Sequence, residues 1–401
     1  MSEDRLTVVK AGGSLLACPA DLRRVAAAIV EARRAGGSLL VVASALKGVT
    51  DLLDLAAGQA KDRSQNGHLD ATVDGLRRRH QEFLEGIDGG DSGGSVHGQV
   101  REALDEVEAL VRHVRARGEL PDATYARLLS FGERLSSILL AAAIQAAGQE
   151  AQPLTSEAAG LRAEGPPRSG SCDLPASAPG LRRMRRELRD RVLVLTGFYG
   201  VGEDDGVVLF GRGGSDDTAC AVAAGLDADR LELWKDVPGL MSADPREVRG
   251  ARVIREVSFD EVAQLGAYGS RVVHHGCLEP LRGRPIQICI SSIPGSIPGD
   301  SSTTGTRLVE RLAHRGTRVV ALASRRCSPA LIGIVGEGVA NDPSIRSRML
   351  SCLAAAKVRG DLAPRPSGAS GLSCTVHPED LAPALSGLHE SFFPPPERPQ
   401  S

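Results

Sequence analysis

The sequence predicts an α/β protein: a mostly parallel sheet sandwiched by helices, followed by a smaller α+β unit. Three observations carry this expectation. Apolar runs alternate with helical periodicity from the start, in the order strand Leu6–Lys10, helix Asp21–Arg34, strand Ser38–Ala43. The strand runs are continuously apolar rather than alternating, as in strands buried on both faces, and each is followed by a Gly/Ser turn. After Arg315 the pattern restarts in a different order, with two strands, a helix, a strand and a helix.

Residues 50–147 read as mostly helical, broken by the flexible Gly-rich stretch Gly86–Gly94. The segment Ser156–Pro179 is rich in Gly, Pro, Ser and Ala and reads as a long surface loop or flap. Strand and helix signals then alternate again through Val192–Leu195, Val207–Phe210, the helix Ser215–Ala224 and Arg230–Trp234. Gly225 stands where a left-handed helix cap is expected. A helix at Phe259–Ser270, a strand at Pro285–Ser291, a polar loop at Ile293–Thr304 and a strand around Thr306–Val309 complete the first part. The second part reads as strands Arg318–Ala323 and Ala330–Val335, helix Pro343–Ala356, strand Leu372–His377 and helix Pro378–Glu390. A Pro-rich tail, Phe393–Ser401, has the composition of a disordered segment.

At 401 residues the chain can hold two or three domains with a substantial core. Hydrophobic residues make up 42% and charged residues 24%, and the formal net charge of −2 leaves no basic surplus for nucleic acid. No continuous apolar run reaches the roughly 20 residues of a membrane span, and Met1–Leu16 lacks a signal-peptide pattern. The expected location is the cytoplasm, with no membrane partner. The eight cysteines form no CxxC pair and lie mostly in apolar runs, so buried free thiols are expected. His274 and His275 are adjacent, but no histidine has metal-ligand spacing. Five lysines stand against 43 arginines, and three of the five (Lys10, Lys47, Lys235) fall inside the motifs below. Where Arg is the default cation, a retained Lys points to a need for a compact charge that a planar guanidinium does not replace.

The most informative segment is 207–218, an apolar run that breaks into Gly211-Arg212-Gly213-Gly214-Ser215-Asp216 before a helix. Its glycines let the backbone approach a ligand, Arg212 adds a cation, and Ser215 and Asp216 sit at the helix start, a ready anion site. Lys10-Ala11-Gly12-Gly13-Ser14 closes the first strand. Such a loop can surround phosphate oxygens with N–H groups while Lys10 offsets the charge of a transferred group. Ser44-Ala45-Leu46-Lys47-Gly48-Val49-Thr50 closes the second strand. Its hydroxyls suit either a small polar ligand or a helix cap. Glu133, in an apolar helical stretch, fits either a solvated face or a partner for a substrate ammonium. Trp234-Lys235-Asp236-Val237-Pro238-Gly239 and Ala243-Asp244-Pro245-Arg246 follow a further strand, either as ordinary turns with a capping Asp or at the edge of a parallel sheet where ligands bind.

In this order the motifs resemble the aspartate kinase (aspartokinase) family of the amino-acid kinase superfamily. The blocks are Lys-x-Gly-Gly-Ser, Ser-Ala-x-x-Gly-Val-Thr, Phe-Gly-Glu-Arg-Leu-Ser, Gly-Arg-Gly-Gly-Ser-Asp, Asp-Val-Pro-Gly…Ala-Asp-Pro-Arg and Gly305-Thr306, across about residues 5–310. Residues 328–392 resemble the family's C-terminal ACT module. The resemblance implies an amino-acid-kinase-like catalytic domain at 1–312, an ACT-like regulatory or dimerisation domain at 316–392, and a tail at 393–401. It implies ATP with Mg2+, a small amino-acid substrate, and a homodimer formed through ACT units. By the same resemblance Lys10 stabilises the transferred phosphoryl group and Asp216 orients the cations around it. Ser44, Thr50, Glu133, Arg212 and Ser215 bind the substrate, with Glu133 on its ammonium and Arg212 on a carboxylate. Gly12, Gly13, Ser14, Gly213, Gly214, Lys235, Asp236, Met241, Arg246 and Arg271 lie along the nucleotide.

The chain departs from the family pattern at Ala11 (usually Phe), Lys235 (usually Thr), Met241 (usually Tyr) and Arg271 (usually Lys). The implied reaction is phosphorylation of the β-carboxylate of L-aspartate by ATP. Two alternatives stay open: a divergent kinase of a related amino acid or carboxylate, and a catalytically silent amino-acid-binding partner. About 85 residues at the end hold one recognisable ACT-like unit, a typical size for a small domain, so feedback inhibition by lysine or threonine is expected to be weak or absent.

Overall fold

The computed structural model describes residues 5–62, 66–87, 95–270, 273, 275–294, 305–312, 317–364 and 371–394. The expected disorder of the tail beyond 394, most of the Gly86–Gly94 and Ile293–Thr304 stretches, Arg271 and His274 lie outside the described residues. The chain forms two compact units, Met1–Asp236 with Cys277–Thr303, and Val237–Gly276 with Thr304–Ser401.

In the first unit, β1 (Leu6–Ala11), β2 (Ser38–Ala43), β3 (Ala151–Leu154), β6 (Val192–Thr196), β9 (Arg230–Trp234) and β11 (Gln287–Ser291) form a parallel sheet in the order β11-β9-β1-β2-β6-β3. β2 is buried at every position, which is why its sequence reads as an unbroken apolar run. The register aligns strand ends: Ala11 lies beside Ala43 and Trp234, and Ala43 beside Thr196. Four loops therefore leave one edge of the sheet together, beginning at Gly12, Ser44, Gly197 and Lys235. The sequence reading missed β3, whose Pro153 is tolerated because β3 is an edge strand.

Helices α1 (Pro19–Arg34), α2 (Val49–Lys61), α3 (Asn66–Glu85), α4 (Ser95–Arg117) and α5 (Asp122–Ala146) share one apolar core with this sheet. α5 has the length and apolarity of a membrane span, yet 83% of its most apolar window is buried inside the protein. It is the core helix of the unit, and it carries Glu133.

Ser156–Pro179 is not a loop. It folds into a short helix α6 (Ser156–Ala159), a hairpin of β4 (Ala163–Glu164) with β5 (Ser171–Cys172), and the start of α7 (Leu174–Glu187). Side-chain caps from Thr155 and Asp173 start both helices. Those Ser, Thr and Asp residues read as loop composition only when their capping bonds are unseen. Residues Val207–Leu209 form β8, which pairs antiparallel with β7 (Tyr199–Val201) instead of joining the main sheet. The helix after the glycine turn, α8, runs Gly214–Gly225. Gly225 is its last residue and not a left-handed cap. That conformation falls to Asp227 (φ 48°), while a Cβ on Gly225 would lie 2.3 Å from Leu181 Cδ1. Gly225 is there for close packing of α7 on α8.

In the second unit, β10 (Glu256–Ser258) pairs parallel with β12 (Thr306–Val309). Helix α9 (Phe259–Ala267) opens with a capping box in which Ser258 and Glu261 bond each other's backbone. Strands β13 (Ala321–Arg325), β14 (Ala330–Val335), β15 (Gly360–Leu362) and β16 (Leu372–Val376) form an antiparallel sheet ordered β13-β14-β16-β15. Ile332, Ile334 and Cys374 pack with Met349 and Leu353 of α10 (Pro343–Ala355) and with Leu385 and Leu388 of α11 (Leu381–Phe392). Gly333, on the opposite face, leaves room for the Tyr268 ring, whose nearest atoms would be 2.4 Å from an added Cβ. All eight cysteines are free, but only Cys220, Cys277 and Cys374 are buried. Cys327, between Arg326 and Ser328, is exposed and the other four are half-buried.

Candidate active site

Four strand ends and one helix start build the site. Lys10 is the penultimate residue of β1, Lys235 follows β9 directly, and Asp216 lies in the first turn of α8. Lys10 Nζ is 2.9 Å from Asp216 Oδ1, and Lys235 Nζ is 2.6 Å from Oδ2. The side chains of Lys10 and Asp216 are 8% and 6% exposed. Burial alone would push the Asp216 carboxyl up, but the two ammonium groups hold it below the usual carboxylate range. Burial lowers the pKa of Lys10; Asp216 opposes the shift, and Lys235 adds to it. Two lysine side chains thus share one carboxylate, so cationic groups outnumber the acid at this point.

Glycines bring the backbone in close. A Cβ on Gly12 would lie 3.1 Å from the Trp234 carbonyl and 3.5 Å from Lys10 Nζ, and one on Gly13 would lie 2.8 Å from the Ala45 carbonyl. Gly211 and Gly213 hold φ of 72° and 80°, left-handed conformations that favour glycine. Gly213 caps α8.

On the other side of the site, Glu133 is buried rather than solvated, which removes the exposed-face reading. Its Oε1 accepts the Ala45 N–H at 3.0 Å, while Oε2 has no partner among the described residues. Burial pushes this carboxyl up to about 8, against the opposing pull of the Ala45 amide, Lys10 and the Ser215 hydroxyl. Helix α5 reaches the β2 loop because residue 132 is glycine, where a Cβ would fall 2.8 Å from that of Ala45. The helix-cap reading of Ser44 and Thr50 is also corrected. Gly48 is the N-cap of α2 and no side chain caps it, so both hydroxyls are left to the cavity.

That cavity has a volume of about 380 Å³ and is lined by Lys10, Gly13, Ser14, Ser44, Thr50, Glu133, Phe198, Gly211, Gly213, Gly214 and Ser215, among others. Arg212 is exposed between two lining glycines and makes no hydrogen bond or ion pair among the described residues. Asp236 is exposed beside Lys235. Met241 and Arg246 belong to the second unit, where Met241 bridges to Val253 and Arg246 pairs with Asp244 at 2.6 Å. Asp244 also accepts the Arg246 N–H, so the local-turn reading holds there. The sequence reading missed Phe198 and Asp217. Asp217 is half-buried, and burial together with neighbouring Asp216 pushes its carboxyl up to about 7. Its place beside Asp216 at a helix start was the available signal, whereas Phe198 carried none.

The model of the amino acid kinase family matches residues 5–292. The aspartokinase of Mycolicibacterium smegmatis is 31% identical over 360 residues, covering 89% of this chain and 70% of that protein. The aspartokinase of Mycobacterium tuberculosis (strain ATCC 25618 / H37Rv) is 33% identical over 297 residues, covering 73% and 56%. Among solved structures, E. coli aspartokinase III in complex with aspartate and ADP superposes with a TM-score of 0.80 at 20% identity, covering 97% of this chain and all of that one. The aspartate kinase of Clostridium acetobutylicum gives 0.73 at 19% identity. Sequence and fold agree: the chain belongs to the amino acid kinase family and, within it, to the aspartokinases.

Proposed function

We propose that this protein is an ATP-dependent aspartate kinase that transfers the γ-phosphoryl group to the β-carboxylate of L-aspartate, giving 4-phospho-L-aspartate and ADP. One observation carries the reading: a Lys10–Asp216–Lys235 cluster, with two lysines on one carboxylate, shares a site with the buried Glu133 carboxylate, whose second oxygen makes no hydrogen bond among the described residues. The first suits a polyphosphate tail and the second suits an ammonium group. Together they match an amino acid facing a nucleotide.

In the reaction a β-carboxylate oxygen bonds to the γ-phosphorus as the bond between that phosphorus and the β,γ-bridging oxygen breaks. The bond's electron pair leaves with ADP. The acceptor is already ionised at neutral pH, so no general base is needed, and positioning with charge neutralisation dominates. Lys10 and Lys235 would meet charge on the transferring phosphoryl group, and Asp216 would hold both ammonium groups in place. Gly12, Gly13, Ser14, Gly213 and Gly214 would present backbone to the phosphates. Ser44, Thr50 and Ser215 would bond the acceptor, with Glu133 on its ammonium and Arg212 on a carboxylate. Asp236 is proposed on the nucleotide side; for Met241, Arg246 and Arg271 a nucleotide-binding role rests on the family resemblance alone. Mg2+ would arrive with the nucleotide on phosphate oxygens, as that ion commonly does. This fits a site whose central carboxylate is fully engaged by lysines.

The domain reading stands beside it: a catalytic domain at 1–312, and an ACT-like domain at 316–392 that pairs two copies into a homodimer. The antiparallel sheet with helices α10 and α11 supports the second part. The enzyme would work in the cytoplasm, where ATP is supplied.

The test is ADP release by the purified full chain across a panel of amino acids, with hydroxylamine trapping of the acyl phosphate. Aspartate should give both ADP and a hydroxamate. Turnover of another amino acid instead would favour the divergent-kinase reading, which the unusual Lys235 motivates, and no turnover with any acceptor would favour a silent binding partner.

A further inference from the structure

Phe198 is the residue of the cavity wall that neither motif nor spacing announces. Its φ is 76°, in the left-handed region that L-residues rarely adopt. Such a conformation persists only where its surroundings over-determine it. Here they do. The Phe198 N–H donates to Thr218 Oγ1 at 3.0 Å, and its carbonyl accepts the Phe210 N–H at 2.8 Å. The Thr218 hydroxyl donates in turn to the Gly214 carbonyl at 2.9 Å. One residue earlier, a Cβ on Gly197 would lie 2.8 Å from Ser215 Cβ and 3.0 Å from the Ala43 carbonyl. The chain leaving β6 is thus pressed onto the helix start that carries Ser215 and Asp216, and it turns away through the left-handed conformation.

Glycine would make this turn without strain. The turn carries a half-buried aromatic residue of the cavity wall instead, packed on one side against the apolar core, and its Cδ2 atom sits 2.8 Å from where a Cβ on Gly214, another wall residue, would be. The remaining lining is polar or small except for Leu46, which is almost fully covered. Among the described lining residues Phe198 is therefore the large apolar side chain available to a ligand's carbon chain.

We infer that Phe198 is a specificity-determining residue: its ring fills the space beside Gly214 that an acid one methylene longer than aspartate would need. The inference rests on the aspartate kinase reading and adds what limits its acceptor.

The experiment measures kcat/KM for aspartate and for glutamate, with ATP, in full-length wild-type, Phe198→Ala and Phe198→Leu proteins. Wild type should prefer aspartate. Phe198→Ala should move the glutamate-to-aspartate ratio toward glutamate by about 10–200-fold, the range one methylene is worth in an apolar pocket. Phe198→Leu, which keeps most of the bulk, should move it less, and KM for ATP should hold in both. Phe198→Gly should melt no lower than Phe198→Ala, because glycine releases the left-handed strain. An unchanged ratio in Phe198→Ala overturns the inference, as does equal loss of both acceptors in a folded, ATP-binding Phe198→Leu protein. Absence of aspartate turnover in the wild type overturns the functional reading as well, so the two failures are distinguishable.

Discussion

Asp216 sets the chemistry of the site because each of its oxygens already holds an ammonium group. Removing Lys235 leaves Lys10 and Asp216 as a neutral pair, with less attraction for a phosphate tail. Lys235→Ala and Lys235→Thr should both lower kcat by about 10²–10³-fold, the usual cost of one preorganised donor to a charged transition state. Steady-state kinetics check this, and near-wild-type kcat in both variants would remove Lys235 from catalysis. Glu133 makes a prediction in pH. Burial pushes its carboxyl up to about 8, and the ammonium of the acceptor needs it ionised. KM for aspartate should therefore fall about tenfold per unit from pH 6 toward 8 and then level off. Glu133→Gln should remove that dependence and raise KM by about 10–100-fold, as expected for a charged hydrogen bond. The stability effect has a definite sign. A carboxyl raised from 4.5 in the unfolded chain to about 8 in the fold costs nothing below 4.5 and progressively more as pH rises through 8. Glu133→Gln should accordingly melt higher than wild type at pH 8 and equally at pH 4.5, by calorimetry.

At the scale of elements, α3 carries its own acid sensitivity. His80 is buried, with Nδ1 2.7 Å from the Leu76 carbonyl and Nε2 unpartnered among the described residues. Burial lowers it to about 4, so protonation favours the unfolded chain once pH drops below 6.5. Each unit between 6.5 and 4 should cost about 1.4 kcal/mol. His80→Leu should flatten the stability profile across that window, in denaturant titrations at pH 7, 6 and 5. Helix contacts are equally specific at Gly225, where Gly225→Val would drive a side chain into Leu181. About 1–3 kcal/mol of overpacking is expected, read as a lower Tm. Neither effect was legible beforehand. Gly225 reads as a helix stop because it follows an apolar periodic run, and only α7 lying against α8 shows that its missing side chain serves packing. Ser156–Pro179 misled for a similar reason, since the residues that cap helices are also those that fill loops.

At the scale of the molecule, the second unit bears on regulation. Its four-stranded antiparallel sheet with two helices is the ACT-like part of the reading. The described residues of this unit hold one such sheet, and activity is expected to stay hyperbolic and nearly unchanged in millimolar lysine or threonine. A sigmoidal loss of activity in initial-rate assays would contradict this.

The amino-acid sequence by itself determined the parallel sheet, the helical stretch before it closes, and the motifs at the strand ends. Continuous apolar runs and Gly-Ser turns are local signals, and the motif order identified the family. Lys10, Ser44, Glu133, Ser215 and Asp216 were all legible in this way. Only the tertiary structure decided that Lys235 grips the second oxygen of Asp216, that Glu133 is buried with one oxygen spare, and that Phe198 turns left-handed into the cavity. Each of these depends on residues tens to hundreds of positions apart meeting at one sheet edge. Burial, charge pairing and backbone strain are properties of that meeting, not of any short stretch of chain.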